Sequence, residues 1–204
     1  GKGGGGASSA KVEQAGPKAV ASYLDSEPKF KEFKVLPRDE FNEQFGSEYG
    51  GLTGETTAVA LRTGEIYIRE GNEDFALHEL VHAAGFMPDG IGRFLSEGMT
   101  QAATEAISRE SGISAYPSYD KERKFVEEYI IPTSGMSAQE LYRGYAGAKE
   151  KGKYLADRIW EAHGDKFSNS EDWGADPHSR MIEQLSDPGF LNWSVHLSSL
   201  VDAL

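Results

Sequence analysis

Two histidines four residues apart, His78 and His82 in the stretch HELVH, constrain this chain more than any other feature of it. Residues i and i+4 of a helix project from one face about a turn apart, so both imidazoles can reach a single point. The surrounding FALHELVHAAGF supplies Phe75, Ala76, Leu80, Val81, Ala83 and Ala84 around the polar face, which predicts that the histidines look into an enclosed site. The competing reading is a solvated helix face, or core imidazoles bonded to carbonyls. Cysteine is absent, so thiolate ligands and disulfides are excluded and a metal would be held by His, Asp, Glu or backbone oxygen. Glu79 lies beside His78, where its carboxylate can take a proton from a metal-activated water without being a ligand.

A catalytic zinc needs a third protein ligand and an open fourth position. In the metzincin continuation of the motif a histidine would stand at position 88; this chain has Pro88 there, and Asp89 is one residue out of register. The better candidate is Glu97 in FLSEGMTQAATEA, fifteen residues beyond His82 and on the next predicted helix. The turn PDGIG, residues 88 to 92, would set the two helices antiparallel and aim Glu97 at the histidines. Glu105, two turns further along, faces the same way at greater distance. The competing reading of Glu97 is a surface glutamate that favours the positive end of its helix.

The rest of the chain reads as one α+β domain, with a small N-terminal sheet followed by a mostly helical remainder. Residues 1–16, opening GKGGGGASSA, read as a flexible Gly-rich tail or linker and residues 17–204 as the domain, its first helix starting at Pro17. EFKVL predicts a strand, DEFNEQF a short helix, and TTAVALR and EIYIR a hairpin turning at Thr63 and Gly64. Asn72 is placed to cap the HELVH helix and Gly85 to stop it. A helix is expected over 121–131 before Pro132. Ser137 and Glu140 form a capping box opening a helical stretch that runs to His163 and Gly164, interrupted near Gly147. Residues 165–176 read as loop, Asp176 and Pro177 start a further helix, and LNWSVHLSSLVDAL reads as a last one.

The net charge of −12 opposes nucleic-acid phosphates and anionic membrane surfaces, so neutral or basic partners are expected. No apolar run approaches the roughly 20 residues of a membrane span. Charge of this kind also serves solubility, which is the simpler account of it.

HELVH followed by SEGMTQ, with EIYIR upstream and LYRGYAGAKEKGKYLADRIWEAHG downstream, resembles the gluzincin group of zinc metallopeptidases, the thermolysin-like set. The similarity covers about residues 55 to 165, with HExxH its specific part and the Glu-Gly context supportive. The resemblance implies a zincin-like fold, His78, His82 and Glu97 as zinc ligands, and Glu79 as general base. It implies a protein or peptide substrate pairing along EIYIR as an edge strand, through Ile66, Tyr67 and Ile68. Tyr145 is the implied donor to the reacting carbonyl oxygen, with Tyr142 next and His163 and His178 behind them. The family pattern has an aspartate four residues after the ligand glutamate, orienting a ligand histidine; here that position is Gln101.

Behind its Gly-rich tether the domain resembles, in layout, the detachable domains of bacterial toxins and secreted effectors, which leaves room for an inhibitor or immunity protein as partner. A housekeeping protease would carry the same features. The rival from another class is a protein-binding module that kept the fold without turnover, against which the retained Glu79 weighs.

Overall fold

The computed structural model describes residues 5–46, 57–61, 63–168 and 174–187. The expected terminal helix LNWSVHLSSLVDAL lies outside them, as does part of the TTAVALR run. The fold is α+β, with one three-stranded sheet in the described N-terminal part and helices after it. The chain divides into two compact units, Gly1–Ala84 with Thr104–Pro117, and Gly85–Ala103 with Ser118–Leu204.

The first unit opens with α1, Gly5–Leu24, which runs through Pro17 instead of starting there. Its cause is a stripe at i, i+4 spacing, Val12, Gly16, Val20 and Leu24, whose side chains are buried. Glu13 on the next row accepts a hydrogen bond from the Val35 amide at 2.8 Å. Residues 5–16 are therefore helix, not tail. Strand β1, Glu32–Leu36, and helix α2, Arg38–Phe45, follow as the spacing predicts. Then come β2, Ala58–Ala60, and β3, Glu65–Arg69, an antiparallel pair turning through Gly64 at φ +103°.

Sheet order is β1-β3-β2, with β1 parallel to β3 and Phe33 opposite Ile66. EIYIR is thus the central strand, and the edge expected there is occupied on both sides. Ile66 and Ile68 point into the core at 3% and 0% exposure, while Tyr67 stacks on Phe45 of α2 and donates to Glu32 Oε2 at 2.7 Å. Leu36, Phe41, Phe45 and Val59 close a small core there. The edge assignment fails because β1 joins β3 across 33 residues of sequence, a non-local pairing that an alternating pattern within EIYIR does not report.

A 3₁₀ turn, Glu73–Phe75, leads into α3, Ala76–Ala83, which carries HELVH. Asn72 does not cap it; its Oδ1 accepts from Arg69 Nε at 2.9 Å, and the same guanidinium donates to Asn42 Oδ1 at 3.1 Å. Arg69 is 3% exposed and ties α2 to the turn before α3. Ala76, Leu77, Leu80 and Val81 are fully buried, and α1 packs so closely that a Cβ at Gly16 would lie 3.0 Å from Leu80 Cδ1. The segment after α1 caps the other end, with Lys29 N–H donating to Ala83 O at 2.9 Å and Ser26 Oγ to Ala84 O at 2.7 Å. Two of the carbonyls a helix C-terminus leaves orphaned are thereby satisfied.

Helix α4, Arg93–Ser111, is shared: its first half belongs to the second unit and its last turns to the first. The second unit continues with α5, Asp120–Phe125, a π-helical turn, Val126–Ile130, and α6, Ile131–Ser134, so the helix passes Pro132 instead of ending before it. Proline lacks the N–H that an α-helical turn requires, and the wider turn ahead of it accommodates the loss. Thr133 Oγ1 donates to the carbonyls of Tyr129 and Ile130. Helix α7, Ala138–Gly147, is capped by Ser137, whose hydroxyl accepts from the Glu140 amide. Helix α8, Lys151–Phe167, extends past Gly164, bending at His163, and α9, Pro177–Ser186, is capped by Asp176. No helix of the described residues is long and apolar enough to cross a membrane.

Candidate metal centre

One set of ligating groups stands together among the described residues: a nitrogen of His78, a nitrogen of His82 and a carboxylate oxygen of Glu97 lie within 4.8 Å of one another. The two Nε2 atoms are 3.1 Å apart and the rings meet edge to face at 4.7 Å. Two donors about 2.0–2.1 Å from one ion at a tetrahedral angle stand roughly 3.3 Å apart, so the imidazoles already have the spacing of a shared ion. His78 is 9% exposed, whereas Glu79, His82 and Glu97 are half-buried.

Local structure explains the convergence. On α3 Ala76, Leu77, Leu80 and Val81 are buried, with Leu80 facing α1 at Gly16, which leaves His78 and His82 together on another side of the helix. On α4 the residue after Glu97 is the controlling one. A Cβ at Gly98 would fall 2.5 Å from the carbonyl oxygen of Glu122 and 3.0 Å from Val126 Cγ2, so glycine alone lets α5 and the π turn approach this part of α4. Gly85, at φ +114°, ends the motif helix and comes equally close to Ala146, where a Cβ would lie 2.3 Å from the carbonyl oxygen. The connector from Gly85 to Gly92 is then held by α8, whose Lys151 and Gly152 amides donate to Asp89 O and Gly90 O at 2.9 and 3.0 Å.

The structure selects among the sequence candidates. Glu97 joins the histidines; Glu105 and Asp89 are outside the group. Gln101, at the position where the family pattern has aspartate, is fully buried and accepts from Ser118 Oγ at 3.0 Å. Tyr145 is not presented to a substrate: it is 0% exposed, its ring packed edge-on against Phe86 at 4.7 Å. Burial drives its phenol far above the ordinary value; the Ser96 hydroxyl opposes this, and the carboxylates of Glu97 and Asp89 add to it. Tyr142 is likewise buried, at 2%. His178 pairs with Asp157 Oδ1 at 2.8 Å and stacks flat on Trp160, while His163 marks the bend of α8. Ile66, Tyr67 and Ile68 are sheet residues, as described above.

Lys151 is a feature that spacing does not announce. Only 2% exposed, it donates to Tyr145 O at 2.6 Å and Ala146 O at 3.3 Å, closing the C-terminus of α7, and its Nζ sits 4.9 Å above the Tyr145 ring. Burial pushes its pKa down and Asp89 opposes that. A cleft of about 360 Å³ opens elsewhere, between α1 and the Gly71–Asp74 turn, and none of the three ligating residues lines it.

Set against protein-family models, curated proteins and solved structures, the chain finds no match.

Proposed function

We propose that the chain is a zinc-dependent endopeptidase of gluzincin type. The observation that carries this reading is the approach of His78, His82 and Glu97 within 4.8 Å, with Glu79 beside the first ligand. Two imidazoles and one carboxylate suit zinc, and three protein ligands leave a fourth position for water or substrate. A purely structural zinc site would close that position with a fourth protein ligand.

When bound, zinc supplies Lewis acidity at a substrate carbonyl and lowers the pKa of water. The remaining work belongs to the chain. Glu79 takes the proton from the attacking water and returns it to the leaving amine nitrogen, so it alternates between base and acid. His78 and His82 must stay neutral to offer lone pairs, which makes metal uptake weaken as pH falls. Tyr145 is too deeply buried to donate to the substrate. An extended peptide would pair at the free side of β2, which among the described residues bonds only to β3.

A Glu79→Gln protein tests the reading. It should keep its zinc and lose hydrolysis of a broad peptide library that the unaltered protein cleaves. Zinc uptake by both proteins with no cleavage by either would favour a binding module instead.

A further inference from the structure

The cleft of about 360 Å³ beside α1 belongs wholly to the first unit and is separate from the three ligating residues, but one of its lining residues continues their helical row. Asp74 stands four residues before His78 and eight before His82. The 3₁₀ turn Glu73–Phe75 runs directly into α3, so the three residues fall close to one side of a continuous helical path. A helical turn advances about 5.4 Å, which puts Asp74 roughly one turn before the first histidine and two before the second.

The lining of the cleft is apolar in one part and charged in another. Val12 of α1 and Ile113, each 6% exposed, give it apolar surface. Gly71 and Gly112 contribute bare backbone, and a Cβ on either would meet nothing within 4 Å, so side chains do not fill the space they face. Glu73 and Asp74 supply two half-buried carboxylates. Lys11, the one cation of the described lining, enters no ion pair among the described residues and so does not neutralise them. Burial raises the Asp74 carboxyl above its ordinary value; a backbone hydrogen bond opposes this and the neighbouring Glu73 charge adds to it. The volume is at the small end of ligand sites, roughly 300–1,000 Å³, which suits one long side chain. Lys and Arg are the side chains that join an apolar stem to a cationic head.

We propose that this cleft is a specificity subsite that takes a Lys or Arg side chain of the peptide substrate, its aliphatic stem against Val12 and Ile113 and its charged head at Asp74 and Glu73. This rests on the endopeptidase reading above and narrows its substrate class to peptides with a basic residue near the cut. An extended chain advances about 3.3 Å per residue, so one to two helical turns correspond to a basic residue about two or three positions from the scissile bond. An acidic side chain is repelled by the two carboxylates, and an uncharged one leaves them desolvated. The net charge of −12 draws basic peptides from a distance.

Cleavage of a random peptide library by the intact, zinc-loaded protein, read from the new termini, should show Lys and Arg enriched at those positions on one side of the cut. On a matched pair of peptides with Lys or Gln at the enriched position, kcat/KM should differ by about tenfold, the worth of one hydrogen bond to a charged group. Asp74→Asn should narrow that ratio most and Glu73→Gln less. Lys11→Gln should widen it, because a like charge has left the rim, and Lys11 is exposed, so the change leaves the fold undisturbed. Added salt should narrow the ratio in the unaltered protein. Cleavage without a basic preference at those positions, or a ratio that neither Asp74→Asn nor Lys11→Gln moves, overturns the subsite and leaves the peptidase reading standing. A protein that takes up zinc and cleaves no peptide overturns both.

Discussion

The two helices that carry the ligating residues, α3 and α4, reach the same point by different means. Helix α3 is short and sharply two-sided, with Leu77, Leu80 and Val81 fully buried on one side and its histidines on the other. Helix α4 is buried nearly all round in its middle, where Thr100, Gln101 and Thr104 join Leu95, Met99, Ala102 and Ala103 inside. Its candidate ligand Glu97 stands beside a tight backbone approach, that of Gly98 to Glu122. Chemistry on α3 is thus written in side-chain spacing. On α4 it depends on clearance, which glycine and small residues provide and no period records.

The largest effect should come from the polar side of α3. Glu79→Gln should lower turnover by about 10²–10⁴-fold, the usual worth of a positioned acid–base group, with zinc content unchanged. Steady-state hydrolysis and metal analysis on one preparation check both halves. Breaking the apolar side comes next. Leu80→Ala should cost about 2–5 kcal/mol of stability, read by denaturant unfolding, because its side chain is fully enclosed and faces α1. A loss under half a kcal/mol would mean that the α1 contact is not what seats the motif helix.

On α4 the corresponding change is Gly98→Ala, which should cost about 1–3 kcal/mol by forcing the Glu122 carbonyl of α5 away from α4. Unlike Leu80→Ala, it should also weaken zinc at temperatures where the protein is still folded, since it displaces the turn that bears Glu97. Equal zinc affinity in the two variants would erase the distinction between the helices. The smallest effect lies away from the site. Burial pushes the Asp157 carboxyl up, but hydrogen bonds from Lys153 and His178 outweigh it and hold the carboxyl below its ordinary value. A carboxyl depressed in the folded state stabilises above its unfolded pKa, and that contribution is lost as pH falls through the folded value. Asp157→Asn should therefore lower neutral stability slightly and leave stability at acid pH little altered, so that the acid limb of the curve flattens, read by denaturant unfolding across pH.

How much of this was legible follows the same division. His78, His82 and Glu97 could be assembled from two helical periods and one turn, and the Ser137 cap from a local pattern. The central position of EIYIR was hidden because β1 reaches it from 33 residues away. The burial of Tyr145, which the resemblance implies as a donor to substrate, is hidden in the sequence because a tyrosine on an amphipathic helix is compatible with either side, and only packing against Phe86 and Lys151 decides. Pro17 marked a helix start that α1 ignores, since the Val12 to Leu24 stripe continues across it. Gly98 had one visible sign, its place directly after Glu97, without the reason for it.

The account stands on three side chains sharing one ion, and zinc titration of the folded protein tests that most directly. The expected result is one zinc per chain in the unaltered protein and in Glu105→Ala, with binding lost in His78→Ala, His82→Ala and Glu97→Ala. Equal zinc content in Glu97→Ala and Glu105→Ala, or no zinc in the unaltered protein, would contradict it.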